Sequence, residues 1–126
     1  MQKIIRLALM SFALLGIFSC QSQQKPFIKK IDKATVKAKV IGEDVQLVDV
    51  RTPMEYNQGH IDDAVNFNIN DEGFLNQIET LDKNKPVYLY CKMGGRSNRA
   101  AELLKSKGFT QIFDYTGGYT DWSSKD

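Results

Sequence analysis

Short apolar, β-branched runs alternate with amphipathic stretches along most of the chain, and the alternation predicts its elements. Val45-Gln46-Leu47-Val48-Asp49-Val50 reads as a strand, as does Pro86-Val87-Tyr88-Leu89-Tyr90, the strongest of the set. Gln111-Ile112-Phe113-Asp114 reads as a third strand and Ala64-Val65-Asn66-Phe67 as a brief one. Between them Phe74, Leu75, Ile78 and Leu81 recur at helical spacing. Ser97 to Lys107 predicts a helix with Ala100, Ala101, Leu103 and Leu104 inward, stopped at Gly108. Thr52-Pro53-Met54-Glu55 opens a short helix: Thr52 can cap, Pro53 suits the first helical position, and Glu55 can close a capping box. Gly59 is expected to end it in a left-handed conformation, and Gly117-Gly118 to form a turn. Phe27 to Ile31 and Asp32 to Ile41 complete the pattern as a first strand and helix. Strands alternating with helices of this length predict an α/β fold with a mostly parallel central sheet and helices on both its faces.

The amino terminus departs from that pattern. Met1 to Arg6 is a short basic start, and Leu7 to Phe18 is an almost unbroken apolar run. Twelve residues rise roughly 18 Å as a helix, short of the ~30 Å hydrocarbon core, which suits a signal-peptide core better than a spanning helix. The run ends Ile17-Phe18-Ser19-Cys20, followed by polar Gln21-Ser22-Gln23-Gln24, and resembles a bacterial lipobox in which Cys20 is lipidated. Phe18 is bulkier than the small residue usual in a lipobox. Residues 1–19 are therefore expected to be a lipoprotein signal peptide, 20–26 a lipid-anchored tether, and 27–126 one domain. The expected location is the bacterial cell envelope, with the domain extracytoplasmic (periplasmic) and the membrane reached through the lipid.

Composition changes this picture little. Apolar residues at 42% and charged residues at 25% exclude a disordered chain. Lys3 and Arg6 are the only charges before residue 20, so residues 20–126 hold 15 basic and 15 acidic side chains, no electrostatic basis for nucleic-acid binding. With Cys20 lipidated, the second cysteine, Cys91, has no disulfide partner in the chain.

Candidate chemistry gathers after the strongest strand. Cys91 stands at its carboxyl end, where ligands bind in open parallel sheets, and Lys92-Met93-Gly94-Gly95-Arg96 leads into the next helix. Two adjacent glycines let successive N–H groups converge on one point, and these, the helix dipole and the Arg96 charge all favour an anionic sulfur. An ordinary thiol is about 3% ionised at pH 7, and lowering its pKa to ~6.5 takes about 2.7 kcal/mol, within reach of two or three charge-assisted hydrogen bonds. A methyl group on Gly95 is expected to narrow this cradle.

Cys91-Lys92-Met93-Gly94-Gly95-Arg96-Ser97 resembles the active-site loop of the rhodanese family, C-x-x-G-x-R-S. Leu47 to Thr52 with Glu55 and Tyr56, Gly59-His60-Ile61 with Ala64 and Asn66, and the ending Gly117-Gly118-Tyr119-Thr120-Asp121-Trp122 stand in the family's order. Asp62-Asp63 replace the usual Pro-Gly, which leaves that local turn open. The resemblance implies a rhodanese-like domain over residues 27–126 and a sulfurtransferase. Cys91 would take sulfur from a donor such as thiosulfate, hold it as a persulfide, and pass it to cyanide or a thiol, for instance that of a thioredoxin-like protein. Lys92, Met93, Gly94, Gly95, Arg96 and Ser97 would form the sulfur-binding loop, with Arg96 and Lys92 attracting an anionic donor. No metal or organic cofactor is required. Phosphatases on a related fold separate Cys and Arg by five residues; four stand between Cys91 and Arg96, a ring better suited to one sulfur atom.

Asp49 and Arg51 resemble the family's strand-end pair and are expected to support neighbouring loops rather than to react. His60, the one histidine, is expected to be structural, Tyr119 and Trp122 to close the core, and Ser97 either to touch the sulfur or to cap its helix. Two other readings share the activated thiol: a sulfur carrier without turnover, and a redox sensor oxidised at Cys91.

Overall fold

The structure, a computed structural model, describes residues 24–125. The expected signal peptide, the lipidation site Cys20 and residues 21–23 of the tether lie outside the described residues.

The chain runs β1 (Phe27–Ile31), α1 (Lys33–Lys39), β2 (Gln46–Asp49), α2 (Pro53–Gln58), β3 (Val65–Asn66), α3 (Phe74–Ile78), β4 (Val87–Tyr90), α4 (Gly95–Ser106), β5 (Gln111–Tyr115) and α5 (Gly118–Ser123). The five strands form one sheet in the order β1-β5-β4-β2-β3, every pair parallel. Alternation along the strands divides the core in two. Val48, Val87, Leu89, Cys91 and Ile112 pack beneath α3 and α4 with Phe74, Ile78, Ala100, Ala101 and Leu104. Leu47, Tyr90 and Tyr115 pack on the opposite face with Val36 of α1, and Tyr119 and Trp122 of α5 close against them. Helices therefore cover both faces, and all strand carboxyl ends open on one edge.

The short helix α2 starts as expected. Thr52 caps it, Pro53 stands in the first turn, and the reciprocal Thr52–Glu55 capping box is formed. Gly59 ends it with φ +154° and ψ 143° instead of the left-handed helical values, and the Tyr119 hydroxyl occupies the space a Cβ here would need. The Asp62-Asp63 turn is made with Asp62 at φ +46°, a conformation aspartate tolerates, and its carboxylate accepts from Gly42 N (3.1 Å). Two apolar positions differ from expectation. Leu75 and Leu103 are exposed, since the stripes that face the sheet run through Phe74 and Ile78 and through Ala100, Ala101 and Leu104, one position away in each case. Gly118 begins α5 rather than completing a turn.

Candidate functional site

Strand β4 delivers Cys91 to the sheet's carboxyl edge, and the chain turns at once into α4. That helix begins at Gly95, two residues before the expected start, with Gly94 as its cap at φ +101° and no side chain capping it. Ser97 is thus inside the first turn and does not cap. What fills the end of the helix is the cysteine sulfur: Gly94 N donates to Cys91 Sγ at 3.0 Å, and Sγ lies 3.6 Å from Ser97 Oγ.

Cys91 is only 1% exposed. Burial alone pushes the thiol up, but the Ser97 hydroxyl and the N–H groups of Ser97, Gly94 and Met93 outweigh it and hold the thiol below its ordinary value. An inert core cysteine would shift the other way. The side chain therefore packs with the core while its sulfur faces donors.

The last turn of the fold clamps this loop. Tyr119 N donates to Cys91 O (2.8 Å) and Thr120 N to Lys92 O (3.1 Å). The chains approach so closely that a Cβ on Gly118 would lie 2.5 Å from Lys92 O, and one on Gly94 2.7 Å from Thr116 O. Gly95 is different: no atom lies within 4 Å of its added Cβ, and its φ is not in the left-handed range. The expectation that a methyl group there narrows the cradle is corrected, because Gly95 points outward from the first turn of α4. Gly95→Ala should leave sulfur loading within about twofold and stability unchanged or raised by up to ~1 kcal/mol; denaturant melts and loading stoichiometry check both.

Arg96, expected to attract an anionic donor, is already partnered. Its Nη1 and Nη2 reach Glu55 Oε2 (2.7 Å) and Oε1 (2.9 Å), while Thr52 N and Oγ1 donate to Oε2 at 3.0 Å each. The guanidinium still orients the loop, by tying α4 to α2, but its charge is largely met. Lys92 and Met93 are exposed at the rim, so Lys92 is the cation that faces solvent there.

The Arg96 hydrogen bonds, working against burial and helped by Thr52, bring Glu55 from the ordinary 4.5 down to about 2. A carboxylate depressed on folding adds stability above its unfolded pKa and loses it as pH falls through the folded one, here from about 4.5 to about 2. The pair is partly open to solvent, which screens it. Glu55→Gln should therefore cost about 1 kcal/mol at pH 7 and almost nothing at pH 2. Urea unfolding across that range checks this, and a pH-independent difference would count against the pair.

Asp49 and Arg51 are buried behind the site. Arg51 Nε and Nη2 donate to the Asp49 carboxylate (2.6–3.0 Å), Nη2 also reaches Gly59 O (2.7 Å), and the guanidinium lies 4.3 Å from the centre of the Tyr119 ring. His60 is not brought to the sulfur; Nδ1 sits 3.1 Å from Tyr56 O and the ring stacks on Tyr56 at 3.8 Å. Beside the loop opens a shallow depression lined by Arg51, Glu55, Lys92 and Tyr119 with Gln58, Thr120 and Ser123. The last three carry no motif signal and were not legible as site residues.

Comparison with known proteins gives consistent matches. The family model described as Rhodanese-like domain matches residues 32–125. The chain is 43% identical over 81 residues to the uncharacterized protein YqhL of Bacillus subtilis, covering 64% of this chain and 62% of that one. It therefore spans less than two thirds of that relative's length. It is 37% identical over 78 residues to the thiosulfate sulfurtransferase GlpE of Shewanella oneidensis (62% and 75% covered), and 31% identical over 97 residues to a sulfurtransferase of Allochromatium vinosum (76% and 89% covered). A crystal structure of a rhodanese-like domain protein from Staphylococcus aureus superposes with a TM-score of 0.68 at 28% identity, covering 77% of this chain and 93% of that one.

Proposed function

This chain belongs to the rhodanese-like family, and from that premise we propose that it is a sulfurtransferase whose Cys91 carries the sulfur. The Cys91 thiolate attacks the outer sulfur of a donor such as thiosulfate. The donor's S–S bond breaks with its electron pair leaving on sulfite, and Cys91 holds a persulfide. A nucleophilic acceptor, cyanide or a thiolate, then attacks the terminal sulfur, and the bonding pair returns to Sγ. Donor, leaving group and acceptor are anions, so neither step needs a general base, which agrees with His60 standing apart on Tyr56. Gly94, Met93 and Ser97 would stabilise negative sulfur at both stages as an oxyanion hole stabilises oxygen.

The observation that carries this reading is Gly94 N at 3.0 Å from a buried sulfur whose donors hold its thiol below the ordinary value. The names of the Shewanella and Allochromatium relatives support it. The test is thiocyanate production from thiosulfate and cyanide; no turnover and no persulfide on Cys91 by intact mass would sink it.

A second reading, sulfur carriage with negligible turnover of free thiosulfate, is favoured by one observation: Arg96 is paired with Glu55, leaving less charge to draw a small anion. Persulfide formed once per chain, without turnover, would support carriage to a thiol partner such as a thioredoxin-like protein.

The lipobox-like Ile17-Phe18-Ser19-Cys20 supports a place in the bacterial cell envelope, with the domain extracytoplasmic and held to a membrane by lipid on Cys20. Cys20→Ala should move the protein from the membrane to the soluble fraction on cell fractionation; an unchanged distribution argues against the anchor.

A further inference from the structure

Asp114 is a fully buried carboxyl that the sulfur chemistry above does not use. Alternation along β5 places it on the same face as Ile112, in the core beneath α4, where it is in register with Leu89 of β4, two residues before Cys91. Neither of its oxygens has a hydrogen-bond partner. Its polar neighbour on α4 is the Ser97 hydroxyl, whose hydrogen is directed to Gly94 O (3.2 Å) and whose oxygen lies 3.6 Å from Cys91 Sγ.

A carboxylate left without donors in a core is several kcal/mol unfavourable, whereas the acid form brings a donor of its own. Burial pushes Asp114 above the ordinary aspartate range, against the nearby Ser97 hydroxyl and the charge of Lys30. The groups around it agree with the neutral form: Lys30, opposite it on β1, is exposed; Cys91 comes from β4; Ser97 comes from α4, where Arg96 is turned to Glu55. We propose that Asp114 is a positioning residue for the Cys91 sulfur: when the sulfur is negative, Asp114, as a carboxylic acid, closes on Ser97 Oγ and donates its O–H to it, so that the Ser97 hydroxyl hydrogen turns from Gly94 O to Sγ. A hydroxyl oxygen that accepts a hydrogen bond is a stronger donor in turn. Deprotonating Cys91 removes the S–H that Ser97 Oγ accepts; the Asp114 acid fills that lone pair. This deepens the proposed role of Cys91 and rests on it.

The test is the pH dependence of Cys91 alkylation by iodoacetamide in the full chain, followed by mass spectrometry of the Cys91 peptide so that Cys20 does not contribute. Asp114→Leu should raise the apparent thiol pKa by about one unit, slowing alkylation at pH 7 up to about tenfold. Asp114→Asn, which keeps a donor, should stay within about threefold of wild type. In a Ser97→Ala background Asp114→Leu should add nothing. A fall in thiol pKa in either Asp114 variant would mean that an aspartate anion opposes the thiolate, and additivity with Ser97→Ala would mean that Asp114 does not act through Ser97; both overturn the proposal. Should the leucine variant fail to fold, infrared spectroscopy decides. A carboxylic-acid C=O band at neutral pH, lost in Asp114→Asn and shifted in Ser97→Ala, supports the proposal, and its absence in wild type overturns it. Thiocyanate turnover by wild type, measured alongside, reports on Cys91 independently of Asp114.

Discussion

Cys91→Ser should abolish sulfur transfer, lowering turnover with thiosulfate and cyanide by more than about 10³-fold, while leaving the protein folded. A serine hydroxyl is not ionised at neutral pH and forms no persulfide, so the variant loses the intermediate itself, not merely some affinity for it. Stability should change by only about 1 kcal/mol, because the serine oxygen can still accept from Gly94 N, the donor that now meets Sγ at 3.0 Å. Cys91→Ala separates the two effects. It should be as inactive as the serine variant but less stable by about 1–3 kcal/mol, since it leaves the Gly94 N–H without an acceptor. Steady-state turnover, intact mass after thiosulfate and urea unfolding check the set. Residual turnover above about a hundredth of wild type in Cys91→Ser would move the chemistry to another residue.

That expectation follows from a division of labour which the sequence displays unevenly. Short apolar runs in Val87 to Tyr90 and Gln111 to Asp114 identified two central strands, and a glycine-rich segment after the first identified the loop, because both signals are local. Strand–helix alternation was enough to anticipate the parallel sheet and helices on both faces. The capping box at Thr52 and Glu55 was equally legible, three residues apart. The second role of Glu55 was not: its partner Arg96 lies 41 residues away, and no spacing rule joins an N-terminal cap on one helix to the first turn of another.

The start of α4 shows a related limit. Ser97 has the composition of a cap, so local chemistry alone could place the helix start there. The loop instead folds the sulfur of Cys91, three residues back, onto that helix end as the acceptor, and the helix starts two residues earlier. Glycine roles were hidden for the same reason. Gly94 and Gly95 stand side by side in the loop, yet only Gly94 sits against the backbone of Thr116. Asp114 looks in sequence like one more polar position in a strand, and only the stacking of α4 on that face brings it beside Ser97.

The decisive glycine for the site is then not in the loop that bears the cysteine. Gly118→Ala should be among the most damaging single substitutions outside Cys91. Gly118 has φ +65°, which an alanine adopts only with strain, and its Cβ would fall 2.5 Å from Lys92 O and 2.6 Å from Cys91 O. These are the carbonyls that accept from Thr120 N and Tyr119 N, so the new methyl group must push the loop away from the hydrogen bonds that hold it. Strain of ~1–2 kcal/mol together with overpacking of ~1–3 kcal/mol gives an expected loss of about 2–5 kcal/mol. Because the displaced carbonyls belong to Cys91 and Lys92, the damage should extend to function. Where the variant still folds, the Gly94 N–H should no longer meet the sulfur, the thiol pKa should rise, and persulfide loading should fall at least about tenfold at pH 7. Gly95→Ala, with open space around its methyl group, is the matched control. If the two alanine variants prove equally stable and load sulfur equally well, α5 does not brace the cysteine loop, and the loop must hold its own shape around the sulfur.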